Sequence, residues 1–175
     1  MTLPSREGEV TVRAALAEDV GAITVIYGHA VRHTVATFDL TEPDAGYWLG
    51  RLASRSPGDH VLVAEDGSGV IVGYAYSGAF RPRPAYARSR ETSVYLHPEH
   101  TGQGIGTRLY AELLGRLGAD GVHLAVAVVA LPNPASTALH RAMGFTEVGT
   151  LDEVGHKLGR YVSTTWWQRR LDRTS

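Results

Sequence analysis

Glu91-Thr-Ser-Val-Tyr-Leu-His-Pro-Glu-His-Thr-Gly-Gln-Gly-Ile-Gly-Thr107 is the stretch that decides the fold. Its opening, Glu91–Leu96, is rich enough in β-branched and aromatic residues to be a strand. His97-Pro98 ends that strand, and Gly102-Gln103-Gly104-Ile105-Gly106-Thr107 follows. From Ile105 onward, Leu109, Leu113 and Leu117 recur on one helical face. Strand, glycine turn and helix in that order present free backbone amides at the helix start, where an anion is favoured. Glycines let that backbone come close to a ligand. A pyrophosphate is the natural guest; an ordinary glycine-rich turn is the plain alternative. No Lys-Ser or Lys-Thr follows, which excludes the nucleotide P-loop. No acidic residue ends a partner strand ~20 residues on, which argues against a dinucleotide fold. Thr107 and Arg108 would add a hydroxyl and a charge beside the anion.

Outward from this unit, the pattern alternates between sheet and helix. Val10, Val12 and Ala14 alternate as a short strand. Val20, Ile23, Tyr27, Ala30 and Val31 give a helix, with Glu18 and Asp19 in its first turn, where the dipole favours acids. A second helix starts near Pro43 and carries Tyr47, Trp48 and Leu52. His60–Glu65 and Val70–Ser77 form a hairpin across Asp66-Gly67-Ser68-Gly69. Residues 78–88 are turn-rich and basic. Val122–Leu131 is an apolar strand. Asn133-Pro134 opens a helix with a cap and a first-turn proline, Gly144 closes it, and Ala135, Ala138, Leu139 and Ala142 are expected to face inward. Phe145–Leu151 and Val162–Leu171 are the last two strands. The order β-α-α-β-β-β-α-β-α-β-β predicts an α/β fold, a mixed sheet with helices packed on it. Residues 1–9 read as a flexible tail and 10–175 as a single domain.

Composition narrows the function. The 175 residues carry 17 bases and 18 acids, a net charge of -1, so no general field favours nucleic acid. There are no cysteines, which removes disulfides, thiolate metal sites and cysteine nucleophiles. The histidines show no metal-ligand spacing. No apolar run approaches the ~20 residues of a membrane span, and the N-terminal residues lack a signal-peptide core. A cytoplasmic protein with no nucleic-acid or membrane partner is expected. Only Lys157 among the bases is a lysine, so arginine is the expected binder of anions.

Several of these segments resemble one family. Glu91–Thr107 looks like the acetyl-CoA-binding motif of the GNAT N-acetyltransferases, and Asn133-Pro-Ala-Ser-Thr-Ala-Leu-His-Arg-Ala-Met-Gly-Phe145 resembles that family's second CoA motif. Gly73–Tyr86 with its Phe80-Arg-Pro-Arg83, Glu91–Tyr95, Val126–Asn133, Val154-Gly-His-Lys-Leu-Gly-Arg160 and Thr37-Phe38-Asp39 resemble the phosphinothricin and methionine sulfoximine acetyltransferases within it. The likeness runs from about Val12 to Leu171. Thr101 departs from the Arg or Gln usual before the first glycine, and His156 stands where relatives often carry Tyr.

The resemblance implies acetyl-CoA as co-substrate, no metal, a homodimer and a small amino-acid acceptor. The α-amine of phosphinothricin, methionine sulfoximine or methionine sulfone is the implied target. Other amines (polyamine, aminoglycoside, peptide N-terminus) and a non-catalytic acyl-CoA sensor are the alternatives. Amine acetylation needs a base, an oriented thioester, a donor for the oxyanion and a proton for the thiolate. With no cysteine, direct attack in a ternary complex is the simpler scheme. Glu91, opening an otherwise uncharged strand, is the expected base, its pKa raised by partial burial; a solvated carboxylate paired with Arg88 or Arg90 is the bland reading. His140 is the expected acid, on a face shared with Asn133 and Ser136 and turned from the core; a surface histidine is its alternative. Backbone groups of Val94, Tyr95 and Leu96, the Gly102–Thr107 turn, Asn133 and Ser136 are expected on the cofactor. Arg81, Pro82, Arg83, Glu91, Thr92, Ser93 and Phe38 are expected on the acceptor, with a guanidinium reading its anionic group. Tyr86 is a further candidate pocket wall. Trp166 and Trp167 offer either apolar surface for a dimer or core for the monomer.

Overall fold

The computed structural model describes residues 10–171. Its elements follow the expected order: β1 (Thr11–Ala14), α1 (Val20–His33), α2 (Ala45–Leu52), β2 (Val61–Glu65), β3 (Ile71–Ala79), β4 (Ser89–Leu96), α3 (Ile105–Ala119), β5 (Leu124–Ala130), α4 (Pro134–Ala142), β6 (Thr146–Lys157) and β7 (Arg160–Arg170). Seven strands form one mixed sheet in the order β1-β2-β3-β4-β5-β7-β6. Only β4 and β5 run parallel. The proposed tail, 1–9, and the last residues, 172–175, lie outside the described residues.

The sheet is covered on both faces, as strand alternation requires. In β2, Leu62 and Ala64 join the cluster under α3, with Leu109, Leu113 and Leu117. Val61 and Val63 point the other way, to Ile23, Tyr27 and Val31 of α1 and Trp48 of α2. Each fully buried leucine of the α3 stripe contributes roughly 1.5–3 kcal/mol by leaving water. Asp19 does not merely complement the helix dipole. It is buried and accepts from Arg13 at 2.7 and 2.9 Å and from the Leu16 amide at 2.7 Å, clamping β1 to the entry of α1.

Two expectations need correction. The last strands are longer than the sequence indicates, because β6 runs on to Lys157 and turns through Leu158 and Gly159, both at positive φ, into β7. The inner face of α4 is rotated from the expected one: Leu139 turns inward as expected, but Ala135, Ala138 and Ala142 are exposed, and Ser136 and His140 turn inward in their place. Burying alanines gains little. The His140 ring instead stacks on Trp167 at 6.1 Å and meets Tyr110 and Phe145 edge-on at 5.2 Å each.

The feature that positions the site is a fork. The β4 and β5 strands pair only from Ser89–Leu124 to Glu91–Val126. Beyond that rung β4 continues to Leu96, hydrogen-bonded to β3, and β5 continues to Ala130, hydrogen-bonded to β7. The backbone of Thr92–Leu96 therefore faces a gap instead of a neighbouring strand.

Candidate active site

At the wide end of the fork lies the glycine turn. Gly102 and Gly104 take φ of 75° and 76°, a region that costs a residue with a Cβ, and Gly104 caps α3. A Cβ at either would meet nothing within 4 Å, so the turn faces open space. Gly106 is buried, and a Cβ there would approach Leu139 at 3.3 Å, which keeps α3 and α4 close. Ile105 is buried in the core, and Gln103 and Thr107 stay on the surface. The uncommitted amides at the start of α3 suit a pyrophosphate. Arg108 does not point there, since its guanidinium donates to the Val10 carbonyl at 3.0 Å. Asn133 caps α4 by accepting from the Ser136 amide at 3.0 Å.

On the α1 side of the fork is a cavity of about 320 Å³. Alternation along β4 sends Glu91, Ser93 and Tyr95 into it, while Val94 and Leu96 pack on the core under α3. Across the gap stand Val128 and Ala130 of β5, with Thr164 and Trp166 of β7 behind them. Tyr27, Tyr76 and the loop Val35–Phe38 complete the wall. Aromatic rings, small apolar side chains and the hydroxyls of Thr37, Ser93 and Thr164 thus surround one carboxylate and one guanidinium.

Those two charges sit together. Arg81 Nη1 lies 3.8 Å from Glu91 Oε2, and its guanidinium rests 4.5 Å from the Phe80 ring and 5.7 Å from that of Trp166. Burial pushes the Glu91 carboxyl above the usual carboxylate range, and the charges of Arg81 and Arg51 pull it back. Arg51 lies over the Tyr76 ring at 4.5 Å. The expected partners of Glu91, Arg88 and Arg90, are not the ones in place. Arg90 is buried and directed to Asp59 at 3.3 Å, on the other side of its strand.

Not every expected acceptor contact reaches the cavity. Arg81, Glu91, Ser93 and Phe38 line it. Pro82 and Arg83 are exposed and outside its lining, as is Tyr86. Thr92 points through the sheet, where its hydroxyl donates to the Val126 carbonyl at 3.2 Å and lies 3.2 Å from the Tyr110 hydroxyl. Sequence reasoning missed Tyr27, Tyr76, Thr164 and Trp166 as cavity residues, and Arg51 beside them: helical periodicity marked Tyr27 as packing, Trp166 read as dimer surface or core, and nothing local singled out Tyr76, Thr164 or Arg51.

His140 occupies the opposite face. It is buried, its Nδ1 donates to the Ser136 carbonyl at 2.7 Å, and its Nε2 lies 2.9 Å from the Tyr110 hydroxyl. Burial pushes the imidazole below its ordinary pKa. With Nδ1 holding the proton, the neutral ring accepts at Nε2 from Tyr110. A chain of polar groups thus runs from Ser136 through His140 and Tyr110 to Thr92 at the apex of the fork.

No group of three or more His, Cys, Asp or Glu able to hold a metal occurs among the described residues. None of the described helices is long and apolar enough to cross a membrane.

Comparison with known proteins gives the site its context. The model of the acetyltransferase (GNAT) family matches residues 28–145. A phosphinothricin N-acetyltransferase of Streptomyces coelicolor is 46% identical over 169 residues, covering 93% of this chain and 97% of that protein. An L-methionine sulfoximine/L-methionine sulfone acetyltransferase of Salmonella typhimurium is 38% identical over 164 residues, covering 93% and 95%. Among solved structures, a GNAT superfamily phosphinothricin acetyltransferase from Sinorhizobium meliloti, in complex with acetyl-CoA, superimposes with a TM-score of 0.88 at 41% identity over 92% of this chain and 88% of that one.

Proposed function

The chain belongs to the GNAT family of acetyl-CoA-dependent N-acetyltransferases, and from that premise we propose that its acceptor is the α-amine of a small anionic amino acid. Phosphinothricin, methionine sulfoximine and methionine sulfone are the type, as the relatives' names support. The observation that carries this reading is the Arg81–Glu91 pair, 3.8 Å apart and the two charged side chains of a cavity whose other walls are aromatic, small apolar and hydroxyl-bearing. A free amino acid presents the complementary charges: its carboxylate to Arg81 and its ammonium to Glu91. The side chain then lies among Phe38, Tyr76 and Trp166. A polyamine or aminoglycoside would bring several cations to a wall that already holds Arg81, with Arg51 close by.

Acetyl-CoA supplies an activated acetyl thioester. The Gly102–Thr107 turn holds its pyrophosphate, with Asn133 and Ser136 at the edge of its site. The free edge of Val94, Tyr95 and Leu96 takes the pantetheine arm, and a strand amide there polarises the carbonyl. Glu91 accepts the ammonium proton, directly or through water, so the amine attacks within a ternary complex. On the other face His140 Nε2 holds the Tyr110 hydroxyl near the apex of the fork; we assign the departing thiolate's proton to that hydroxyl, which turns from Nε2 to give it and regains a proton from solvent as the products leave. Arg83, Pro82 and Thr92 act on the acceptor only by shaping the loop and strand that carry Arg81 and Glu91.

Thiol release followed across a panel of amino acids, their amides, polyamines and aminoglycosides tests the reading. Preference for free amino acids is the expected result. Faster turnover of an amide or polyamine would overturn it, and binding of acetyl-CoA with no turnover on any amine would favour the sensor.

We further infer that residues 10–175 act as one catalytic domain, in the cytoplasm where acetyl-CoA is made, and as a homodimer. The tryptophans do not supply the dimer surface, because Trp167 is in the core and Trp166 lines the cavity. The edge strand β6 and its hairpin partner supply it instead, through exposed Val148, Leu151, Val154 and Tyr161. Light scattering that gives the 18.9 kDa monomer mass would refute the dimer.

A further inference from the structure

Lys157 is the only lysine in a chain whose other 16 basic residues are arginines. It is also buried, at 3% exposure, at the end of β6. Its Nζ donates to the Thr37 carbonyl at 2.6 Å. Burial pushes its pKa down, and the nearby Asp39 carboxylate pulls it back up. An ammonium removed from water is expensive unless its donors are used. Holding the loop that follows α1 is what this one does.

That loop, Val35–Asp39, is neither helix nor strand, yet Val35–Phe38 form a wall of the acceptor cavity. Three elements pin it. From α1, the Tyr27 hydroxyl donates to Asp39 Oδ2 at 2.6 Å and lies 2.7 Å from Thr37 Oγ1. From β4, the Tyr95 hydroxyl reaches the Ala36 carbonyl at 3.4 Å. From β6, Lys157 takes the Thr37 carbonyl, while Gly155 seats the Phe38 ring, which a Cβ would strike. An arginine in the lysine's place would bring a rigid fork of five donors where lysine brings three, to a niche in which the Thr37 carbonyl accepts.

We propose that Lys157 is a positioning residue for acceptor specificity: it anchors Thr37 and so sets the distance between the Phe38 wall and the Arg81–Glu91 pair. The proposal rests on the reading that this cavity receives the acceptor. Lys157 touches neither the cavity nor the cofactor turn, so its effect falls on acceptor binding alone.

The test uses Lys157→Met and a chemical rescue. Lys157→Met should raise the acceptor KM at least tenfold while the acetyl-CoA KM stays within twofold. The chain has no cysteine, so Lys157→Cys, alkylated with 2-bromoethylamine in denaturant and refolded, restores one ammonium at this position and nowhere else. That product should return the acceptor KM to within threefold of wild type; the same variant treated with iodoacetamide should not. An unchanged acceptor KM in Lys157→Met, or an equal rise in both KM values, would overturn the proposal. Amide hydrogen exchange of residues 36–39 is read in parallel and needs no substrate. It should quicken at least tenfold in Lys157→Met, and unchanged exchange overturns the anchoring even if no amine in the panel is turned over.

Discussion

Replacing Arg81 by Met removes one charge from the cavity while keeping an unbranched side chain of similar reach. The only hydrogen bond the guanidinium makes among the described residues is to the carbonyl of its own neighbour, Phe80, at 2.8 Å. Four of its five N–H donors thus remain for a ligand. Resting against the rings of Phe80 and Trp166 restricts it before the ligand arrives. A hydrogen bond to a charged group is worth ~1.5–3 kcal/mol. Because the Arg81 side chain is 46% exposed, the lower end applies, and the loss should be about 1.5 kcal/mol, or ~10-fold in kcat/KM. The assay compares a free amino acid with its amide in wild type and variant. Wild type should prefer the acid by ~10-fold, and Arg81→Met should erase that preference while leaving the amide's kcat/KM nearly unchanged. Arg81 also holds the Glu91 carboxyl down. Without it Glu91 rises, and since the base must be ionised, the acid limb of the pH profile should move to higher pH. A variant that loses equally on acid and amide, with an unmoved acid limb, would show that Arg81 neither reads the carboxylate nor senses Glu91.

Other expectations can be checked on the same protein. Glu91→Gln should lower kcat at neutral pH by ~10²–10⁴-fold and regain rate as pH rises and free amine accumulates; near wild-type kcat would remove Glu91 as base. Acetyl-CoA at ~100-fold above its Kd should stabilise the fold by ~2.7 kcal/mol, seen as a higher Tm. Gly104→Val, which places a β-branched residue at φ 76°, should abolish that ligand shift; an undiminished shift would displace the pyrophosphate from the turn. Tyr110→Phe leaves His140 Nε2 without its donor in the core and should cost ~1–3 kcal/mol in urea unfolding, together with a fall in kcat. A stable Tyr110→Phe with full kcat would dissolve the polar chain as a functional unit.

The helices and most strands were legible because periodicity reports burial directly. The α3 stripe and the β2–β3 hairpin are the clearest instances: leucines every four residues, and an Asp-Gly-Ser-Gly turn between β-branched runs. The glycine turn was equally legible, since Gly102 and Gly104 sit where positive φ is needed. What escaped depends on partners far away in sequence. The fork is a property of two strands, and neither β4 nor β5 carries a local mark of where its pairing stops. On α4 Leu139 was placed correctly, but the alanines were misread because they look apolar yet gain little from burial, so the His140 contacts with Tyr110 and Trp167 decide its rotation. The end of β6 was missed because Asp152–Lys157 is mostly polar and its turn places a leucine, not Asn or Asp, at positive φ. Glu91 and Arg81 were visible as residue types, but their meeting at 3.8 Å needs the β3–β4 hairpin to close.

The fork also bears on how the chain assembles. The β1–β4 strands pair with their neighbours in sequence, and β5, β7 and β6 form a second group of their own. The strands of the two groups share only three paired residues, between β4 and β5, and the α3 crossover connects them. Each group can therefore form from comparatively short-range contacts, and the parallel rung between them closes only once α3 has brought β5 back across the sheet. That seam between the groups also borders the cavity that holds Arg81 and Glu91. The same few rungs make it the natural place for native-state breathing, since backbone there has the fewest bonds to lose.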